Sequence, residues 1–240
     1  MGGKPKKGAK QHIPYHIAFI PDGNRRWAKK RGLTPIEGHR KGINLMGDVL
    51  KWARSHKIRM VSFWAFSTEN FKRDREEVQG LFEAFETNLK KVLDEADFEK
   101  YDVRVRFIGD ISRFPHRIQE GVRQVEKKTA HHKKYFVNLF IGYGGRQELV
   151  AMAQKIAKDF AFRSGKIDEQ AISERLWTSG MPEPDLIIRT SGEHRISGFM
   201  PFQSAYSELY FCKKLWPDFR KTDFAKAINE FKRRKRRWGK

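Results

Sequence analysis

Asp22 stands among cations. The stretch Pro21-Asp22-Gly23-Asn24-Arg25-Arg26-Trp27 puts a carboxylate, a glycine and two arginines within seven residues. Glycine lets backbone approach a ligand closely, a helix starting there would aim unpaired N–H groups at an anion, and arginine grips phosphate with two donors. A carboxylate fits such a group when it holds a cation, so the combination suits Mg²⁺ bridging protein and diphosphate. The plain alternative is a helix cap flanked by solvated arginines. Two more clusters share this character. Ser67-Thr68-Glu69-Asn70-Phe71-Lys72-Arg73 is polar and basic with an aromatic inside it. Arg189-Thr190-Ser191-Gly192-Glu193-His194-Arg195-Ile196-Ser197-Gly198 has two arginines, two serines and two glycines, a good phosphate cradle. Glu208 follows shortly after. The sequence carries neither a P-loop nor a G-x-G-x-x-G, and Gly142-Tyr143-Gly144-Gly145 lacks that spacing, which disfavours nucleotide enzymes of those kinds.

The elements that must position these clusters are legible in outline. β-rich runs at 16–20, 58–66, 103–108, 135–141, 185–189 and 208–211 alternate with segments of helical spacing at 37–55, 75–96, 115–131, 145–162, 168–178 and 223–236. The apolar stripe of 75–96 (Val78, Leu81, Phe82, Phe85, Leu89, Val92, Leu93) is the clearest. Alternation of this kind implies a single α/β domain with a mostly parallel sheet of about six strands, flanked by helices, whose ligands bind beyond the strands' carboxyl ends. Residues 1–11 are expected to be a flexible basic tail, and 12–240 one folded domain.

Composition sets the surroundings. The chain has 240 residues, 39% of them hydrophobic, and a formal charge of +21, which draws polyanions such as nucleic acid, anionic lipid or phosphorylated substrates. The single cysteine, Cys212, excludes a disulfide framework. With no apolar run long enough to span a bilayer and no signal-peptide core, a cytoplasmic protein is expected, its basic surface suited to peripheral contact with the inner face of an anionic membrane.

The three clusters together resemble the signatures of the cis-prenyltransferases, the undecaprenyl and polyprenyl diphosphate synthase family. His16 to Ala28 resembles the first signature, Phe66 to Asn70 the second, and Asp185 to Ser197 with Ala205-Tyr206-Ser207-Glu208 the third, in the family's order from about residue 12 to the end of the chain. The resemblance implies successive condensation of isopentenyl diphosphate onto an allylic diphosphate with formation of cis double bonds, in an α/β fold with an apolar tunnel. It implies that Asp22 binds Mg²⁺ on the allylic diphosphate, with Glu208 near the metal. Gly23, Asn24, Arg25, Arg26, Trp27 and His39 would bind the allylic substrate, and Arg189, Arg195, Ile196 and Ser197 the incoming one. Ser67, Thr68, Glu69, Asn70, Phe71 and Arg73 would line the reacting centre. Asn70 is the family's proposed proton acceptor, but an amide is a poor base, so the departing diphosphate is the better acceptor and Asn70 an orienting group. Arg237-Trp238-Gly239 matches the Arg-x-Gly that reaches across a homodimer in this family, so Arg237 and Gly239 are expected at the partner's site.

Some residues depart from the bacterial pattern. Pro35 stands where some members carry a diphosphate-binding arginine, so that contact is lost or taken over by another residue such as Arg31. Ser197-Gly198-Phe199 looks archaeal or eukaryotic, which leaves a short-chain product or another acceptor as an alternative reading. For the tunnel, the 75–96 helix is the natural wall, with small Ala65 at the site end and Phe82 or Phe85 as a plug. His131-His132 reads as a solvated helix end rather than a metal site. A nucleic-acid-binding protein is the rival from another class, but it leaves Asp22, Glu69, Glu193 and Glu208 inside basic loops unexplained, and no nucleic acid is expected as a partner.

Overall fold

All six β-rich runs form strands in the computed structural model, which describes residues 13–94, 97–160 and 166–234. The strands are β1 (His16–Ile20), β2 (Met60–Ser67), β3 (Val103–Ile108), β4 (Tyr135–Tyr143), β5 (Leu186–Arg189) and β6 (Glu208–Phe211). They make one sheet in the order β3-β4-β2-β1-β5-β6, with every neighbouring pair parallel. Between them lie α1 (Asn24–Lys29), α2 (Pro35–Ser55), α3 (Arg75–Asp94), α4 (Asp97–Lys100), α5 (His116–Thr129), α6 (Gly145–Phe160), α7 (Glu169–Ser173) and α8 (Lys221–Arg233).

Parallel strands covered on both faces should read as continuous apolar runs. The central ones do: all five residues of β1 and all four of β5 are buried. Their alternation feeds two cores. Ile17 and Phe19 face a core with Val49 of α2 and Phe224, Ile228 and Phe231 of α8, while Ala18 and Ile20 face Phe140, Tyr143 and Phe199 on the other side. A third core joins α3 and α5 to β3 and β4 through Leu81, Leu89, Val105, Ile118 and Val137.

Local chemistry sets the element ends. α2 begins with a capping box in which Glu37 N–H donates to Thr34 Oγ1 and Thr34 N–H to Glu37 Oε2, with Pro35 in the first turn. It stops at Lys57, whose φ of 62° turns the chain so that Ile58 N–H donates back to Ala53 O. Ile58, expected to open β2, is therefore part of the helix cap. β2 slips register against β4 around Ala65 and Phe66. Such a bulge re-aims side chains at a sheet's end, and Trp64 and Ala65 both line the cavity described next.

Candidate active site

The carboxyl ends of β1, β2 and β5 converge, as the strand alternation implies. β1 ends at Ile20, paired with Arg189 at the end of β5, and Asp22 follows one residue beyond Pro21. Thr190 clamps this turn: the Asp22 N–H donates to Thr190 Oγ1 (3.0 Å), and the Thr190 hydroxyl donates to Asp22 O (2.7 Å). Gly23 caps α1 with φ 112°, and a Cβ there would lie 2.8 Å from Leu215 Cδ2, so both conformation and space demand glycine.

Asp22 is held between two guanidiniums. Arg189 Nη2 donates to Oδ2 (2.8 Å) and Arg26 Nη2 approaches Oδ1 (3.2 Å). Burial pushes this carboxyl up, but hydrogen bonds from Arg189 and Ser191 and the charges of Arg189 and Arg26 outweigh it and hold the pKa below the usual range. Asp22 is therefore ionised at neutral pH. Arg189, only 6% exposed, also donates to Arg195 O (2.6 Å) and Ser197 Oγ (2.7 Å). Arg26 donates to Ser191 Oγ (2.6 Å), and Glu193 accepts from both Arg26 (3.2 Å) and Arg195 (2.5 Å). The loop that carries these groups has positive φ at Ser191, Gly192, Ser197, Gly198 and Met200, local strain of the kind found at ligand-binding turns.

A second cluster is built on Glu77 of α3. Its buried carboxylate accepts from Arg73 Nη1 (2.9 Å), lies 3.2 Å from His39 Nε2 and is 3.5 Å from Arg25 Nε. Burial and the Arg73 charge hold His39 below its usual pKa, partly offset by Glu77, so its ring is neutral at pH 7. Sequence reasoning missed Glu77. Its trace is the four-residue spacing from Arg73, which precedes α3 in extended backbone and reaches Glu77 in the helix's first turn.

Asp22, Gly23, Asn24, Arg25, Arg26, His39, Asn70 and Arg73 all line one cavity of about 800 Å³. Ser67 N–H donates to Asn70 Oδ1 (3.0 Å) in a capping box, which leaves the Asn70 amide N–H groups for the cavity. The polar end gives way to Ile43, Met46, Leu81, Phe85 and Leu139. A second cavity of about 430 Å³ shares Ile43, Met46, Asn88 and Leu139 with the first and continues to Phe98, Val103 and Val137. The two adjoin at these residues between the sheet and helices α2 and α3, the first at the strands' carboxyl ends and the second toward their amino ends. Ala65 and Phe85 line the first, whereas Phe82 packs with Phe66, Phe71 and Phe114.

Other expected site residues lie elsewhere. Glu208 opens β6 beside Leu186, and Leu186 pairs with Ile17, so Glu208 sits at the amino end of the sheet, where Arg234 Nη1 donates to it (2.7 Å). Within one chain it is not brought to Asp22. Trp27 turns its indole N–H to Asp218 Oδ1 (2.9 Å) under the Arg31 guanidinium (4.3 Å from the ring). Arg31 also pairs with Asp218 and is not among the residues lining the cavity, whereas Lys29 and Pro35 are. Phe71 stacks edge-on to Phe66 (4.8 Å) beneath Arg113. Thr68 is buried, Glu69 is exposed with its carboxyl below the usual range despite the upward push of burial, and Ile196 packs on the core around Phe199. Arg237 and Gly239 lie outside the described residues.

An ionised carboxylate among arginines, beside an apolar cavity, suits a molecule with a charged head and an apolar tail. Residues 20–239 match the family model described as putative undecaprenyl diphosphate synthase. The chain is 45% identical, over 96% of its length and 84% of the relative's, to the tritrans,polycis-undecaprenyl-diphosphate synthase (geranylgeranyl-diphosphate specific) of Methanocaldococcus jannaschii. It is 40% identical to the isoprenyl transferase of Thermus thermophilus, with 95% and 89% of the two chains covered. Among solved structures, lavandulyl diphosphate synthase from Lavandula x intermedia in complex with dimethylallyl diphosphate matches with a TM-score of 0.90 at 36% identity, covering 95% of this chain and 99% of that one. The chain belongs to the cis-prenyltransferase family, that of the undecaprenyl diphosphate synthases, and is a prenyltransferase.

Proposed function

We propose that the protein condenses isopentenyl diphosphate onto an allylic diphosphate primer, repeatedly, to give a long Z-polyprenyl diphosphate. The observation that carries this reading is the continuity of the charged cradle around Asp22 with the two-chambered apolar bore. Geranylgeranyl diphosphate is the favoured primer, because the Methanocaldococcus jannaschii relative is named as specific for it. At about 30 Å³ per liquid-packed heavy atom, five carbons need roughly 150 Å³, so the wider chamber takes at most about five such units, fewer with diphosphate at its polar end, and the narrower about three.

In the reaction, the allylic C–O bond breaks and its electron pair leaves with the diphosphate. The double bond of isopentenyl diphosphate then supplies the electrons for the new C–C bond, and a proton lost from the adjacent carbon forms the new double bond. Arg25, Arg26 and the α1 N–H groups stabilise the leaving diphosphate, while Arg189, Arg195 and Ser197 hold the second substrate. Asn70 Oδ1 is occupied by Ser67 N–H, so its amide can only donate toward a diphosphate oxygen. The departing diphosphate takes the proton. Asp22 fits Mg²⁺, since this ion keeps waters and takes one or two carboxylates beside substrate phosphates, and the bound ion would neutralise the leaving group. We propose a homodimer in which Arg237 and Gly239 reach the partner's cradle, and peripheral contact of the basic surface with anionic lipid.

Labelled isopentenyl diphosphate with Mg²⁺ and C10, C15 or C20 primers tests the reading. A ladder of long products, best with the C20 primer and reduced at least about 10²–10³-fold in Asp22→Asn, is expected. No incorporation with any primer refutes it.

A further inference from the structure

Away from the cradle, at the amino ends of β3 and β4, the expected solvated helix end His131-His132 is solvated only at His131, and His132 is buried. Glu99 of α4 and His131 and His132, just past α5, bring one ligand atom each to within 4.8 Å of one another. Glu99 Oε2 lies 3.5 Å from His131 Nε2 and 3.5 Å from His132 Nε2. Those separations are too long for good hydrogen bonds. They are close to the edge of a tetrahedron, about 3.4 Å, around an ion with bonds of about 2.0–2.1 Å.

The second observation concerns His132 alone. This side chain is 3% exposed, and its Nε2, aimed at the cluster, has no hydrogen-bond partner. Its other nitrogen is spoken for: Nδ1 lies 3.0 Å from Asp102 Oδ1, which also accepts Lys133 N–H (3.0 Å). With Nδ1 donating, Nε2 presents a lone pair. A carboxylate behind an imidazole is the arrangement that fixes ring and tautomer in metal-ligating histidines. Asp102 holds it from a left-handed backbone position (φ 55°) on the turn between α4 and β3.

We propose that Glu99, His131 and His132 form a binding site for one borderline divalent cation, zinc above all, with Asp102 orienting His132. Two imidazoles and one carboxylate suit zinc better than Mg²⁺ or Ca²⁺, which prefer oxygen ligands throughout. His132 is fixed, whereas Glu99 and His131 are half to two-thirds exposed and adjust around the ion. The site ties α4 to the end of α5. Because Phe98 lines the narrower chamber of the bore, the ion braces the wall near its far end. This site needs nothing from the reaction proposed above.

Full-length untagged protein, stripped with chelator and kept in Mg²⁺, is dialysed against zinc. One zinc per chain is expected, and Co²⁺ in its place should give the intense visible absorption of a tetrahedral N/O site. Glu99→Gln/His131→Ala should abolish both, and the exposure of those residues keeps the fold intact by circular dichroism. Asp102→Asn should weaken zinc about 10–100-fold, while Asp22→Asn should leave it unchanged. Zinc should also raise the melting temperature of the wild type and not that of the double variant. Failure of the wild type to retain zinc, equal retention by the double variant, or loss in Asp22→Asn overturns the site; the first result would leave a simple ion pair to Glu99.

Discussion

Glu77 organises two of the cations that line the cavity, Arg73 and Arg25, together with the neutral His39 ring, so its removal should separate stability from catalysis in a measurable way. The carboxylate is 8% exposed, and two of its contacts, Arg73 at 2.9 Å and His39 at 3.2 Å, lie within hydrogen-bonding distance. A charged hydrogen bond contributes about 1.5–3 kcal/mol. Arg25, at 3.5 Å and with its side chain 54% exposed, adds little. Glu77→Ala leaves half-buried Arg73 without its partner and should cost about 2–4 kcal/mol, or roughly 6–12 °C in melting temperature for a chain of this size. Glu77→Gln keeps volume and an acceptor, and should cost about 1 kcal/mol, or roughly 2–4 °C. In steady-state turnover with labelled isopentenyl diphosphate, kcat should fall about 10²-fold in the alanine variant as His39 and Arg73 drift from their positions. KM for the allylic diphosphate should not rise, because the cradle has become more positive. An alanine variant that melts and turns over like the wild type would refute the reasoning.

Two further outcomes follow from other parts of the molecule. His16 is fully buried, and burial lowers its pKa from 6.5 to about 4 despite the raising effect of Pro182 and Asp185. The unfolded chain binds this proton first, so His16 supports stability above pH 6.5 and loses about 3 kcal/mol of it as pH falls from 6.5 toward 4; urea melts should show that loss in wild type and not in His16→Phe, and an equal pH slope would sink it. Met46 lies where the two chambers meet, so Met46→Trp should stop growth within the wider one, at no more than about five C5 units by liquid-packed volume, with primer use unchanged; full-length products on chromatography would disprove the bore.

The strand–helix alternation and the three polar clusters were legible because both live in local pattern. Period and run length locate β1, β3 and β6 to the residue, and a cluster of glycine and arginine after a strand marks its loop. What escaped depends on distant parts of the chain meeting. Glu208 looked like a metal ligand by motif, but a parallel strand carries its first residue at the end of the sheet opposite to Asp22. Glu77 carries no local signal beyond its spacing, since its meaning comes from His39 and Arg25 on other elements. His131 and His132 looked solitary because Glu99 is more than thirty residues away until β3 and α5 return the chain to it. The pairing of Arg31 with Asp218, from the turn after β6, likewise has no local signal.

The linkage that runs Arg195, Glu193, Arg26, Asp22, Arg189 and Ser197 has one more consequence. Each of its three guanidiniums has an anion within the chain and each of its two carboxylates a cation, so a diphosphate bound there would exchange with Glu193 and Asp22 as the counter-ion of the arginines. Such an exchange would turn Asp22 from the partner of Arg26 and Arg189 into a ligand open to a divalent ion, coupling uptake of the metal to uptake of the diphosphate.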